Sequence, residues 1–163
     1  MIVLGIDPGL ATVGYGVVDK RPDGSIMAVD YGVIETPPNE TIATRLAMIY
    51  EGVKQLMLHF KPEEIALEQI FYFKNQKTII PVAEARGVAI LALVQTTGKL
   101  FEYTPLQVKS VMTGNGRADK KQVQNMVKLL LNLDNIPKPD DAADALAVAI
   151  THCKTNNISK NQI

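Results

Sequence analysis

The hydrophobic period of this chain changes abruptly near residue 40. Before that point, apolar runs at Val3 to Ile6, Val13 to Asp19 and Ile26 to Glu35 are separated by the turn signals Pro8-Gly9 and Pro22-Asp23-Gly24. This spacing predicts three strands in an antiparallel meander. After it, Ile42, Leu46, Ile49, Val53, Leu56, Met57 and Phe60 recur at helical spacing, which predicts an amphipathic helix from Thr41 to Phe60. Glu64 to Ile70 returns to strand character. A helix is expected from about Ile80 to Thr97, with Pro81 in its first turn, then a fifth short strand at Leu100 to Tyr103. Helices are expected at Pro105 to Met112, Lys120 to Leu131 and Asp141 to Cys153. The expected class is α/β, a five-stranded mixed sheet flanked by helices.

The order resembles the ribonuclease H-like layout, in which the first strand lies between the hairpin and the later parallel strands. The carboxyl edge of the first and fourth strands is then a topological switch point, the usual place for a site in an open sheet. The 163 residues are read as one such domain over 1–153 and a polar tail over 154–163 that frays. A single cysteine, Cys153, excludes an intrachain disulfide and a cysteine-based zinc site. No apolar run reaches the length of a membrane span and no secretory signal opens the chain, so the expected compartment is the cytoplasm. The formal net charge is zero, but Lys109, Arg117, Lys120, Lys121 and Lys128 face only Asp119 between Pro105 and Leu131, while acids gather around Asp140 to Asp144. A basic patch beside an acidic pocket suits a protein that binds both phosphate and divalent metal.

Three segments carry carboxylates toward the same predicted edge. Asp7 ends the first strand, Glu68 interrupts the apolar run Ile65-Ala-Leu-Glu-Gln69, and Asp141 and Asp144 share a face at the start of the last helix. Each has an ordinary reading: a turn residue for Asp7, a buried ion pair with Arg86 for Glu68, helix caps and dipole partners for Asp140, Asp141 and Asp144. Gathered together without a cation they would repel and take up protons. Such an oxygen-rich set suits Mg²⁺, with Mn²⁺ as a substitute. Two ions roughly 4 Å apart at one site would activate water and stabilise the leaving oxygen of a phosphodiester. Small residues in the last helix (Ala142, Ala143, Ala145, Ala147, Ala149) let it lie close to the sheet. Gly14 and Gly16 leave one face of the second strand bare, for either that helix or a DNA strand.

The collinear segments GIDPGLATVGYGVV, ALEQIF, EARGVAI, PLQVKSVMTGNGRADKKQVQNMV and DAADALAVAITH resemble the RuvC family of Holliday junction resolvases, from Ile2 to about His152. The resemblance implies metal-binding catalytic acids at Asp7, Glu68, Asp141 and Asp144. Some members carry histidine where Asp141 stands, and Asp140, four residues from Asp144, can also face the site. It further implies basic positions near the scissile strand at Lys109 and Lys120, and an aromatic ring at Phe71 that stacks on junction bases. Lys120 is expected to stabilise developing charge on the phosphate. Tyr72, Lys74, Arg117 and Lys121 complete the expected DNA contacts, with the Gly114 to Arg117 segment read as a flexible loop. His59 and His152 lack a second ligand at metal spacing and read as surface or helix-end residues, and Cys153 as a small core residue.

What the resemblance implies is a crossover junction endodeoxyribonuclease of the nucleoid-bearing cytoplasm, acting in recombination and DNA repair and leaving 5′-phosphate ends. Implied partners are a four-way DNA junction and the RuvA–RuvB branch-migration complex. The two-fold symmetry of such a junction, cut twice, calls for a homodimer. Two rivals remain at this stage. An actin-like ATPase would use Asp7 and its turn around nucleotide phosphates but needs a second related domain. A non-catalytic junction-binding protein would keep the basic and aromatic residues and have no need of the acids.

Overall fold

The computed structural model describes residues 1–69, 76–95, 99–155 and 161–163. Strands β1 (Ile2–Asp7), β2 (Thr12–Lys20) and β3 (Ile26–Glu35) form the meander. Helix α1 (Ile42–Phe60), β4 (Glu64–Glu68), α2 (Gln76–Val94) and β5 (Leu100–Tyr103) follow. Then come α3 (Pro105–Thr113), α4 (Lys120–Leu130), α5 (Asp140–Lys154) and a two-residue β6 (Asn161–Gln162). The sheet order is β3-β2-β1-β4-β5-β6. β1 pairs antiparallel with β2 and parallel with β4, and β4 pairs parallel with β5. The five expected strands are therefore present in the expected order. Near the end of the chain, Asn161 and Gln162 pair antiparallel with β5.

Strand alternation sorts the side chains into two layers. Leu4, Ile6, Val13, Val17, Ile65, Leu67 and Leu100 face α1 and α2. Val3, Val18, Ala66, Phe101 and Tyr103 face α3, α4 and α5. The boundaries follow local chemistry. Thr41 caps α1, accepting from the Thr44 amide, and Lys61 ends it in the left-handed region. Thr104 and Gln107 form a capping box on α3, with Pro105 at the first helical position, and Asp119 and Gln122 form one on α4. Helix α2 starts earlier than its periodicity indicates, so Pro81 lies inside it rather than in its first turn. The nearly unbroken apolar composition of this helix blurs its start, because it has buried residues on one side (Ala85, Ala89, Ala92, Leu93) and exposed apolar ones on the other (Ile80, Leu91, Val94).

Helix α5 lies unusually close to the sheet. A Cβ on Gly16 would come within 2.7 Å of the Leu146 amide nitrogen, and one on Gly5 within 2.8 Å of the Ala149 nitrogen. One on Gly14 would strike the Asp141 carbonyl oxygen. The bare face of β2 is thus filled by the last helix, the first of the two occupants considered above. The far end of α5 is fastened as well. Lys20 Nζ donates to the Cys153 carbonyl at 2.6 Å, and His152 is fully buried between Glu64 (Oε2 to Nε2, 2.6 Å) and the Tyr103 hydroxyl (to Nδ1, 2.8 Å). Of the two expectations, His152 is the helix-end residue, in the last turn of α5, and not a surface one: both ring nitrogens have partners from strands distant in sequence. Cys153 is buried, as expected of a small core residue.

Candidate active site

Register brings the first two acids together. Ile6 pairs with Leu67, so Asp7 and Glu68 are the next residues on parallel neighbours. By alternation both side chains follow Gly5 and Ala66 onto the α5 face. Arg86, on α2, lies beyond the opposite face and pairs with Glu102 rather than Glu68. The ordinary reading of Glu68 as its partner fails for that reason of parity. Nor are the α5 acids caps: Pro139 occupies the N-cap position and no side chain makes a capping bond. Asp141 and Asp144 are half-buried against the sheet edge, within the field of Asp7. Asp140 is outermost, with its side chain 45% exposed and its carboxylate 2.7 Å from Lys138 Nζ. That hydrogen bond holds the Asp140 pKa below its usual value, so Asp140 stands apart from the strained group.

The electrostatics of the cluster are those of charges short of a counter-ion. Burial first, then the charges of Asp144 and Asp141, push the Asp7 carboxyl up to about 6. Burial, then Asp7 and Asp144, push Glu68 up to about 8, and the two carboxyls hydrogen-bond each other. Burial also raises Asp144. Lys120 Nζ lies 2.9 Å from Asp144 Oδ2 and 3.7 Å from Asp140 Oδ2. At Lys120 burial opposes the charge, but the hydrogen bond and charge of Asp144, with Asp140 and Asp141, outweigh it and raise the pKa.

The donor chemistry fits a hard divalent cation, with carboxylate oxygens alone and repulsion that positive charge would relieve. Among the described residues no three of the acids, histidines or cysteine stand in ready-made ligand geometry. The hydrogen bond between Asp7 and Glu68 and the ion pair of Lys120 with Asp144 hold the group in their own compensated arrangement.

The basic residues divide. Lys109 and Lys120 line a cleft of about 230 Å³ with Glu68, Asp144, Val108 and Val123. Lys120 shares a face of α4 with the buried Val123 and Val127, which turns it inward. Lys121, one residue on, faces solvent and does not line the cleft, and neither does the exposed Arg117. That rotation sets Lys121 apart from the cleft. The Gly114 to Arg117 segment is a built turn, with Gly114 at φ 75° and Asn115 Oδ1 accepting from the Arg117 amide at 2.9 Å. Phe71, Tyr72 and Lys74 lie outside the described residues, as does the Lys77 side chain. One feature had no local sequence signal. A second cleft, on the Asp141 side, is lined by Gly9, Thr12, Arg45 and Pro81.

This fold and site define a ribonuclease H-like class of protein with a carboxylate centre at the sheet's switch point. The family model described as "Crossover junction endodeoxyribonuclease RuvC" matches residues 3–152. The chain is 54% identical over 158 residues to the crossover junction endodeoxyribonuclease RuvC of Caldanaerobacter subterraneus subsp. tengcongensis, covering 97% of this chain and 95% of that one. It is 48% identical over 160 residues to its counterpart in Clostridioides difficile, covering 98% and 94%. The chain belongs to the RuvC family. Among solved structures it superimposes on Thermus thermophilus RuvC in complex with Holliday junction substrate with a TM-score of 0.93 at 32% identity, covering 100% of this chain and 99% of that one. The yeast mitochondrial Holliday junction resolvase Ydc2 shares the fold, with a TM-score of 0.69 at 17% identity over 93% of this chain and 78% of that one.

Proposed function

We propose that this protein is a structure-selective endodeoxyribonuclease that resolves four-way DNA junctions by paired, metal-assisted hydrolysis of phosphodiesters in recombination and repair. The observation that carries this reading is the meeting of Asp7, Glu68, Asp141 and Asp144 at one sheet edge, beside a cleft bearing Lys109 and Lys120. The likeness over nearly its full length to a RuvC structure described as a complex with Holliday junction substrate supports the choice of DNA. Asp7, Glu68, Asp141 and Asp144 are the residues that would hold Mg²⁺ or Mn²⁺, with two ions per site as the working stoichiometry. Bound there, the metal supplies an activated water and charge neutralisation at the leaving oxygen. The chain's own part is to present the acids in fixed register, to hold Lys120 where charge develops on the phosphate, and to keep Lys109 on the adjoining backbone. Such hydrolysis leaves 5′-phosphate and 3′-hydroxyl ends, with no covalent intermediate.

One domain with one such centre makes one nick, so symmetric resolution is the work of a homodimer. The outer face of α2 suits that contact. It exposes Ile80, Leu91 and Val94, and Gly87 on the same face has open space within 4 Å of where its Cβ would stand. Phe71 and Tyr72 would stack on unpaired junction bases, Lys74, Arg117 and Lys121 would contact outlying phosphates, and the RuvA–RuvB machine is the expected upstream partner. No helix among the described residues is long and apolar enough to cross a membrane.

The test is a synthetic four-way junction, labelled on opposing strands, incubated with the protein in Mg²⁺ or in chelator. Symmetric nicks in Mg²⁺ that vanish in chelator and in Asp7→Asn are expected. Undiminished nicking by Asp7→Asn would overturn the assignment.

A further inference from the structure

Two clefts flank the acids, and the nuclease reading uses only the one bearing Lys109 and Lys120. The other has a volume of about 470 Å³ and runs from Asp141 along the turn that follows β1. Arg45, from the second turn of α1, reaches into it. Its guanidinium is anchored at one corner: Nε donates to Thr36 Oγ1 at 2.8 Å. Thr36 is buried, and its own hydroxyl proton is committed to the Leu10 carbonyl at 2.6 Å, while its amide donates to the Ala11 carbonyl at 3.0 Å. A hydroxyl has one proton to give, so Thr36 can only accept from Arg45, and the direction of the chain of bonds is settled. The two terminal amino groups of Arg45 have no hydrogen-bond or ion-pair partner among the described residues.

This is an unusual disposition for an arginine. Ordering a long side chain costs rotamer entropy, and here the anchor leaves the binding fork open in a cleft beside the carboxylate centre. The planar fork matches the geometry of a phosphate. A backbone phosphate moving past acids meets repulsion, which a fixed cation on the far rim would offset.

We infer that Arg45 holds a backbone phosphate of the strand to be cut, on the side of the acids opposite Lys109 and Lys120. The strand then lies across the carboxylate centre between two basic supports, while the Arg45–Thr36 chain ties that support to the turn behind Asp7. This rests on the nuclease reading, and the experiment separates the two.

Junction binding is measured as a function of salt, in chelator and in an Asp7→Asn background so that cleavage does not intervene. Arg45→Gln is expected to flatten the slope of log affinity against log salt by about 0.7–0.9, the share of one phosphate contact, equally for junctions of different sequence. Arg45→Lys keeps the charge and is expected to keep the slope. Thr36→Val, which removes the anchor and leaves the charge, is also expected to keep it. A junction with a single neutral methylphosphonate, moved stepwise past the scissile position, should reproduce the Arg45→Gln loss at one phosphate, and there alone Arg45→Gln should add nothing. The scan needs no substitution at residue 45 to show whether a phosphate is held on that rim, so a poorly folded variant does not decide the matter. An unchanged slope in folded Arg45→Gln, or no such phosphate in the scan, overturns the inference and leaves Arg45 as a brace for the turn. Failure of the Asp7→Asn parent to bind any junction overturns the nuclease reading itself, and this inference with it.

Discussion

Single side chains carry the chemistry here, and their environment leaves a signature in pH. Asp7 and Glu68 ionise near 3.8 and 4.5 in a solvated chain but are pushed up to about 6 and about 8 in the fold, chiefly by burial, then at Asp7 by the charges of Asp144 and Asp141 and at Glu68 by those of Asp7 and Asp144. The folded chain therefore binds more protons than the unfolded one between about pH 4 and pH 8. Stability contributed by the pair falls as pH rises through that window. In chelator, the urea midpoint of the wild type should drop more steeply from about pH 5 to about pH 8 than that of Glu68→Gln, and Mg²⁺ should shrink the difference. Parallel curves would mean that the pair ionises freely. Lys120 makes a second prediction. Lys120→Met should slow single-turnover cleavage of a preformed complex by about two to three orders of magnitude. An unaltered rate would reduce Lys120 to the partner of Asp144. The acids were legible in the sequence because each interrupts an apolar run or opens a helix. His152 was not, since Glu64 and Tyr103 are 88 and 49 residues away, and nothing local announces that both ring nitrogens are bonded.

Helices and strands decide where those side chains stand. Strand ends and helix starts could be read from turn residues and caps, and with them the convergence of Asp7, Glu68 and the start of α5. Parity was harder to use. That Glu68 faces α5 while Arg86 serves Glu102 follows from the alternation of β4 and β5, which is certain only once register is known. The closeness of α5 to the sheet is written in Gly5, Gly14 and Gly16, and it yields a third prediction. Gly14→Ala should cost about 1–3 kcal/mol in urea unfolding and depress cleavage more than junction binding, because the atom it strikes belongs to Asp141. Wild-type cleavage in that variant would show that Asp141 need not keep its place. At the other end of α5, His152→Ala strips the Tyr103 hydroxyl and Glu64 of a shared partner. It should cost about 1–3 kcal/mol by the same measurement while the chelator-sensitive nicking survives below the unfolding temperature.

In the homodimer proposed above, matched incisions would need two centres held at a set distance and angle. If the outer face of α2 joins the protomers, Leu91→Glu should give a monomer in sedimentation velocity. The same variant should convert paired incisions on a supercoiled cruciform into single nicks, since a charge at that position has no place in an apolar contact. A Leu91→Glu dimer would move the interface elsewhere. Solvent-facing apolar residues on α2 were visible only after the fold assigned their faces, because the helix is apolar nearly all round and its periodicity is weak.

The three glycines under α5 have a consequence for heredity as well as for geometry. At each position an added methyl would meet main-chain atoms of the helix, the Asp141 carbonyl, the Leu146 nitrogen or the Ala145 carbonyl. A smaller side chain on the helix cannot make room where the obstacle is backbone. In a saturation library selected for junction resolution, these sites should therefore accept glycine alone and acquire no second-site suppressors, although none of the three bears a group that touches DNA or metal.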